Sequence, residues 1–282
     1  MPSPSETLTH QFAHSFFLAS RFLPAAKRNA AFALYAFCRT VDQLIDEKGS
    51  VNEKEKKLAA WKKELAMTWE KKGHKNPILS AFVFTCNTHS IPREWGFRLI
   101  EGLRVDLVHT RYETFDELYA YCFSAGSIPG ILMNYAMGGN ERTAPYAISL
   151  GIGMQLTNIL RDMKEDLDMG RVYLPQAELQ EFGYSLNELE NHVLNENFTR
   201  YLQFSISRAR TYYMQAEKGI ELLPSDVQLS IRLCSIFYQR ILDEIERNNY
   251  DVFSSRAVVS EERKQSLIAT LHPRVLISHS NF

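Results

Sequence analysis

The chain has 282 residues, 45% of them hydrophobic, and a net charge of −1, which is enough apolar sequence for one large core or two closely joined ones. Thirteen glycines and ten prolines exclude a low-complexity chain, and the near-zero charge gives no bulk field for nucleic acid, so no nucleic-acid partner is expected. No uncharged run approaches the ~18–20 residues that span a bilayer, and the opening MPSPSETLTHQFAH lacks the basic and apolar regions of a secretory signal, so a cytoplasmic protein is expected.

Helical signals run down the chain. Pro24 precedes AAKRNAAFALYAFCRTVDQLIDE, an alanine-rich run without internal Gly or Pro, and proline suits a first helical turn. VNEKEKKLAAWKKELAMTWEKKG alternates apolar and charged residues at helical period and reaches Gly73 as a stop. PREWGFRLIEGLRVDLVHT and TFDELYAYCFSAGSIPGILMNYAMGG read as two more helices, the second interrupted at Pro129. APYAISLGIGMQLTNILRDMKEDLDMG reads as one helix ending at Gly170. Two long helices follow, FTRYLQFSISRARTYYMQAEKGIELL and SDVQLSIRLCSIFYQRILDEIERNNY, the latter capped by Ser225 or Asp226. Strand alternation, fixed-period repeats and Pro/Gly/Ser linkers are not visible, and residues 48–52, 138–143 and 170–186 read as loops. The expectation is one all-α domain over residues 1–282. Cys38, Cys86, Cys122 and Cys234 lie far apart in apolar runs, which predicts buried, reduced thiols.

Two of these helices carry polar stripes. At ~100° per residue, Gln155, Asn158, Asp162 and Asp166 fall within an arc of ~80°. Their neighbours Met154, Leu156, Ile159, Leu160 and Met163 are apolar. Tyr35, Arg39, Asp42 and Asp46 repeat the pattern within ~60° on the earlier helix. Each stripe ends in Asp-x-x-x-Asp, which puts two carboxylates on one face about 5–6 Å apart at Cβ. A lone pair of this kind is commonly solvated surface. Two pairs that each continue a stripe on an apolar helix ask for a cation to offset repulsion and desolvation. Oxygen ligands without His or Cys suit a hard ion such as Mg²⁺, which takes one or two carboxylates, waters and substrate phosphates. Arg39, Arg161 and Arg171 add groups suited to a diphosphate, although Arg161 and Arg171 could instead pair with acidic neighbours. Continued backwards, the second stripe reaches Gly151 and Ala147 and the first reaches Ala31. These small residues leave room for a hydrocarbon tail or serve close helix packing.

YAFCRTVDQLID (Tyr35 to Asp46) and QLTNILRDMKEDLDMGRVYLP (Gln155 to Pro175) resemble the two signatures of the squalene/phytoene synthases. SFFLASRFLP, YCFSAGSIPG and YQRILDEIERNNYDVFSSR resemble further segments of that family in the same order, so the resemblance covers almost the whole chain. It implies an all-α isoprenoid synthase fold around a central apolar cavity. It also implies head-to-head joining of two allylic prenyl diphosphates, farnesyl or geranylgeranyl, through a cyclopropylcarbinyl diphosphate. By matching position, Tyr35, Arg39, Asp42, Asp46, Asp162 and Asp166 are implied to be catalytic. Asp42, Asp46, Asn158, Asp162 and Asp166 are implied ligands for Mg²⁺, with Mn²⁺ as the alternative. Implied substrate-binding residues are Ser15, Phe16, Tyr121, Gly130, Gly151, Gln155, Asn158, Arg161, Arg171, Tyr173, Tyr238 and Arg256. Phe16, Phe17, Tyr35, Tyr121 and Tyr238 are candidates for an aromatic wall that excludes water and faces cations, against plain core packing. Many relatives carry a second acid directly after the first Asp, where this chain has Gln43. That departure implies altered metal affinity.

The long second signature argues against a terpene cyclase or a head-to-tail prenyltransferase. Retention of all four aspartates argues against a non-catalytic assembly factor. GIGMQL lacks the third glycine of a dinucleotide fingerprint and lies in a helix, which weighs weakly against NADPH and leaves reductive closure open. Long-tailed substrates without a spanning segment imply peripheral contact with a membrane surface.

Overall fold

The computed structural model describes residues 2–70 and 76–272. Helices α1 (Pro4–Phe12) and α2 (His14–Ser20) lead into α3 (Ala25–Asp46), which starts directly after Pro24 and buries Ala31, Leu34, Phe37, Val41 and Ile45 along one side. A reciprocal capping box opens α4 (Val51–Trp69): the Glu53 amide donates to Ser50 Oγ at 3.3 Å and the Ser50 amide to Glu53 Oε2 at 2.8 Å. The expected loop at 48–52 therefore ends at Ser50. The expected stop at Gly73 lies outside the described residues. Next come α5 (Pro77–Thr88) and α6 (Glu94–Arg104), then a 3₁₀ turn over Val105–Leu107.

The segment expected to be one interrupted helix is α7 (Phe115–Cys122), a π turn (Phe123–Ser127) and α8 (Ile128–Ala136). The π turn ends directly ahead of α8; Ile128 keeps helical φ/ψ of −60°/−48°, and Pro129 sits in the first turn of α8, where its missing N–H leaves no helical bond unmade. The stretch expected as one helix ending at Gly170 is broken at Asp162, whose φ/ψ of −100°/13° separates α9 (Ala144–Arg161) from α10 (Met163–Asp168). Gly170 does end it, at φ +75°.

The expected loop 170–186 holds more structure than its composition suggests. It contains a short strand β2 (Val172–Pro175), α11 (Gln176–Glu181) and the start of α12 (Leu186–Glu190). β2 pairs in parallel with a two-residue strand β1 (Arg111–Tyr112), an exception to the reading without strands. The chain closes with α13 (Glu196–Ile220), α14 (Ser225–Arg247) and α15 (Glu261–Leu271). Pro224, not Ser225 or Asp226, stands at the start of α14, and no side chain caps it.

Among the described residues the fold is all-α apart from that ladder. One apolar cluster forms around α3, with Phe37, Leu65, Phe82 and Leu99, and another around α9, with Ile152, Leu156, Phe198, Tyr201 and Leu242. α9 packs against α7, α8, α13, α14 and the π turn, and α3 against α1, α4, α5, α6 and α8. Gly151 allows a close approach of backbone to backbone: a Cβ there would lie 2.4 Å from the Gly126 carbonyl oxygen. All four cysteines are free and buried, as expected.

Candidate active site

Between the two acid-bearing helices lies a cavity of about 730 Å³, a size typical of small-molecule sites. Both stripes face it. Tyr35, Arg39, Asp42 and Asp46 enter from α3, and Gln155, Asn158, Asp162 and Asp166 from α9, its terminal break and α10. Tyr121, Gly130, Gly151, Arg161, Arg171, Tyr173, Tyr238 and Arg256 line it too, as does Phe16. Ser15 does not line it. Phe17 is also turned away and stacks on Phe32 at 5.5 Å.

The two acid pairs differ internally. Asp46 accepts from Arg171 Nη1 at 2.7 Å. Asp162 accepts from Arg161 Nε and Arg256 Nε, both at 2.7 Å. Burial works to raise the Asp162 carboxyl, but the bonds and charges of Arg161 and Arg256 outweigh it and hold the group below the ordinary carboxylate range. Asp42 and Asp166 have no ion-pair partner among the described residues. Burial, with the neighbouring Asp46 charge, raises Asp42 to about 7. Burial, with the Asp162 charge, raises Asp166 to about 8. Each stripe therefore presents one carboxylate held by arginine and one in want of a positive charge.

The amides continue this pattern. Gln155 Nε2 donates to the Tyr121 hydroxyl at 3.2 Å, and Asn158 Nδ2 to Gln155 Oε1 at 3.4 Å. Asn158 Oδ1 is buried with no hydrogen-bond partner. An orphan amide oxygen in a cavity that also holds two carboxylates without ion-pair partners fits a hard divalent cation by donor chemistry. Among the described residues no three His, Cys, Asp or Glu side chains are already gathered as a metal cluster. Arg39 Nε is also buried without a partner, and its guanidinium lies 4.7 Å from the centroid of the Phe12 ring.

The walls are aromatic and apolar. Tyr35 stacks on Phe16 at 5.6 Å, and Tyr121 on Tyr173 at 4.7 Å. Further in, the lining includes Met133, Met137, Ala147, Leu150, Ala216 and Ile220. Reasoning from sequence missed Phe12 and Asp106. Asp106 is 6% exposed and accepts from Tyr173 Oη at 3.0 Å and Tyr112 Oη at 3.2 Å. An isolated acid in LRVDLVH carries no local signal, because its partners arrive on two separate strands.

Comparison with known proteins agrees with this architecture. The family model for squalene/phytoene synthases matches residues 9–263. The chain is 37% identical over 270 residues to a 15-cis-phytoene synthase of Synechococcus elongatus, covering 91% of this chain and 87% of that protein. It is 32% identical over 277 residues to a chloroplastic phytoene synthase of Daucus carota, covering 96% and 69%. Among solved structures, a dehydrosqualene synthase in complex with ligand superposes with a TM-score of 0.88 at 25% identity, covering 97% and 95%. A squalene synthase from Alicyclobacillus acidocaldarius superposes with a TM-score of 0.80 at 27% identity, covering 88% and 93%.

Proposed function

The chain belongs to the squalene/phytoene synthase family, and from that premise we propose that it is a prenyltransferase joining two molecules of geranylgeranyl diphosphate head to head, by way of a cyclopropylcarbinyl diphosphate, to phytoene. The observation that carries this reading is the convergence of both acid stripes and four arginines on one cavity with apolar walls. The names of the relatives favour the 20-carbon substrate and an ending by proton loss, and no NADPH step is included. Residues from Gln11 to Arg256 line the cavity, which supports residues 1–282 acting as one unit.

Asp42, Asp46, Asn158, Asp162 and Asp166 would hold Mg²⁺ or Mn²⁺. Bound there, the metal supplies Lewis-acid assistance to the departing diphosphate. The protein's own groups do the rest. Arg39 lines the cavity and has a buried, unpartnered Nε, and Arg161, Arg171 and Arg256 can exchange carboxylate for diphosphate oxygens, keeping paired geometry through the exchange. Gln155 and Tyr121 form a polar ledge where diphosphate meets hydrocarbon. Below it, the apolar lining orients the prenyl chains and excludes the water that would capture an allylic cation.

The test is product analysis with geranylgeranyl and farnesyl diphosphate, each with and without NADPH. The expected result is a 40-carbon hydrocarbon from the longer substrate, independent of NADPH, abolished by EDTA and restored by Mg²⁺. Asp42→Asn and Asp162→Asn should lower turnover by orders of magnitude with the helical circular-dichroism signal retained. Full turnover in either variant, or in metal-free buffer, sinks the reading.

A membrane-surface role accompanies it. No described helix is long and apolar enough to cross a membrane. Phe12 and Met169 line the cavity and are also 43% and 50% exposed, so apolar surface lies where a long-tailed substrate enters.

A further inference from the structure

Asp106 belongs to neither acid stripe. It lies in the 3₁₀ turn Val105–Leu107, lines the cavity and has no Lys, Arg or His within ion-pair distance among the described residues. It accepts hydrogen bonds from two phenols, Tyr112 on β1 and Tyr173 on β2. The parallel ladder, the one departure from helix in the described fold, sets these two phenols over the same carboxylate. Tyr173 stacks on Tyr121 at 4.7 Å with planes 17° apart, and Tyr112 stacks on Tyr173 at 5.8 Å. Tyr121 and Tyr173 line the cavity, whereas Tyr112 lies behind them and is 2% exposed.

An unpaired acid is a costly anchor for a two-strand ladder. Anchoring needs only an acceptor, and a neutral amide oxygen supplies one. What the acid adds is charge. A carboxylate that accepts a phenol proton draws O–H bond density toward the ring, which makes the face of that ring more negative. A more negative face attracts a cation more strongly, and most strongly where water is absent. Burial raises the Asp106 carboxyl to about 6, opposed by the Tyr173 and Tyr112 hydroxyls and by the Arg171 charge, all of which favour its carboxylate form.

We propose that Asp106 is an electrostatic positioning residue of the reaction. Through the hydroxyls of Tyr112 and Tyr173 it orients the Tyr121–Tyr173 stack and enriches its cavity face, so that this face stabilises the prenyl cations formed after diphosphate leaves. The inference rests on the proposed condensation.

Asp106→Asn tests it, because the amide keeps an acceptor in place and removes the charge. The expected result is a ~30-fold fall in kcat, the size of one desolvated cation–π contact, with KM for geranylgeranyl diphosphate near the wild-type value. The 20-carbon allylic alcohol, formed when water adds to the escaped cation and a proton is lost, should rise as a fraction of product. A purely structural anchor predicts a lowered melting temperature with the alcohol fraction unchanged, and that outcome overturns the proposal. So does wild-type kcat. Should the Asn variant fail to fold, Tyr112→Phe decides. It removes one bond to Asp106 from outside the cavity, and it should lower kcat and raise the alcohol fraction in the same direction. No change in either overturns the proposal. Wild-type enzyme run alongside must yield the 40-carbon hydrocarbon; its failure to do so counts against the condensation itself and is read separately.

Discussion

Asp42 and Asp166 show most directly what a single residue contributes, because each faces the cavity without a cationic partner. Burial is the main reason the Asp166 carboxyl titrates at about 8 in the fold against 3.8 as the reference value. The sign follows from proton linkage. Between about pH 4 and pH 8 the folded protein holds a proton at Asp166 that the unfolded chain has released. The stability this group contributes is complete below the unfolded value and is lost as pH rises through the folded one. In EDTA, Asp166→Asn, which mimics the protonated form, should therefore gain in melting temperature over wild type as pH rises from 4 to about 8, and then level off. Thermal melts across that range check it. A constant or shrinking difference contradicts an underneutralised carboxylate. Both aspartates were legible in the sequence, since i,i+4 spacing is a local property. Their inequality to Asp46 and Asp162 was not, because it depends on where Arg161, Arg171 and Arg256 arrive.

At the scale of elements, α9 and the π turn after α7 meet backbone to backbone. The sequence left Gly151 with two readings, room for a tail or close packing. The geometry favours packing: a Cβ at Gly151 would lie 2.4 Å from the Gly126 carbonyl oxygen and 2.7 Å from Ser127 Cα. Backbone atoms cannot yield as a flexible side chain can. Gly151→Ala should therefore cost about 1–3 kcal/mol of stability, as overpacked cores do, and reduce turnover of farnesyl and geranylgeranyl diphosphate alike. Denaturant melts with paired kinetics decide it. Unchanged stability with selective loss on the longer substrate would return Gly151 to the tunnel. The break between α9 and α10 was hidden for a related reason. No Gly or Pro marks Asp162, and its side chain is bound by Arg161 beside it and by Arg256 from the segment after α14. β1 and β2 were equally hidden, since two and four residues are too few to show a period of two.

For the whole molecule, the proposed reaction sets a problem of access. Substrate and product are long hydrocarbons, while the chain has no described helix that crosses a membrane. With a net charge of −1, attraction to anionic lipid is weak, so apolar contact at the cavity rim must supply most of the affinity. In vesicle flotation the protein should bind phosphatidylcholine membranes weakly, show little dependence on salt, and release at alkaline pH. Phe12→Ser should lower the bound fraction. Binding that survives until detergent is added, or that ignores Phe12, contradicts this route. The sequence by itself determined the all-α class, most long helices and both acid stripes, because 3.6-residue periodicity and i,i+4 spacing are written within a few turns of one helix. Only the tertiary structure decided which acids are neutralised and which tyrosines stand over Asp106. Arg171 reaches Asp46 across 125 residues, Arg256 reaches Asp162 across 94, and Tyr173 reaches Asp106 across 67. Contacts of that separation leave no period in the chain; they exist because packing α3 and α9 around one cavity brings distant groups into one low-dielectric space, where Asp46 and Asp162 gain arginines and Asp42 and Asp166 do not.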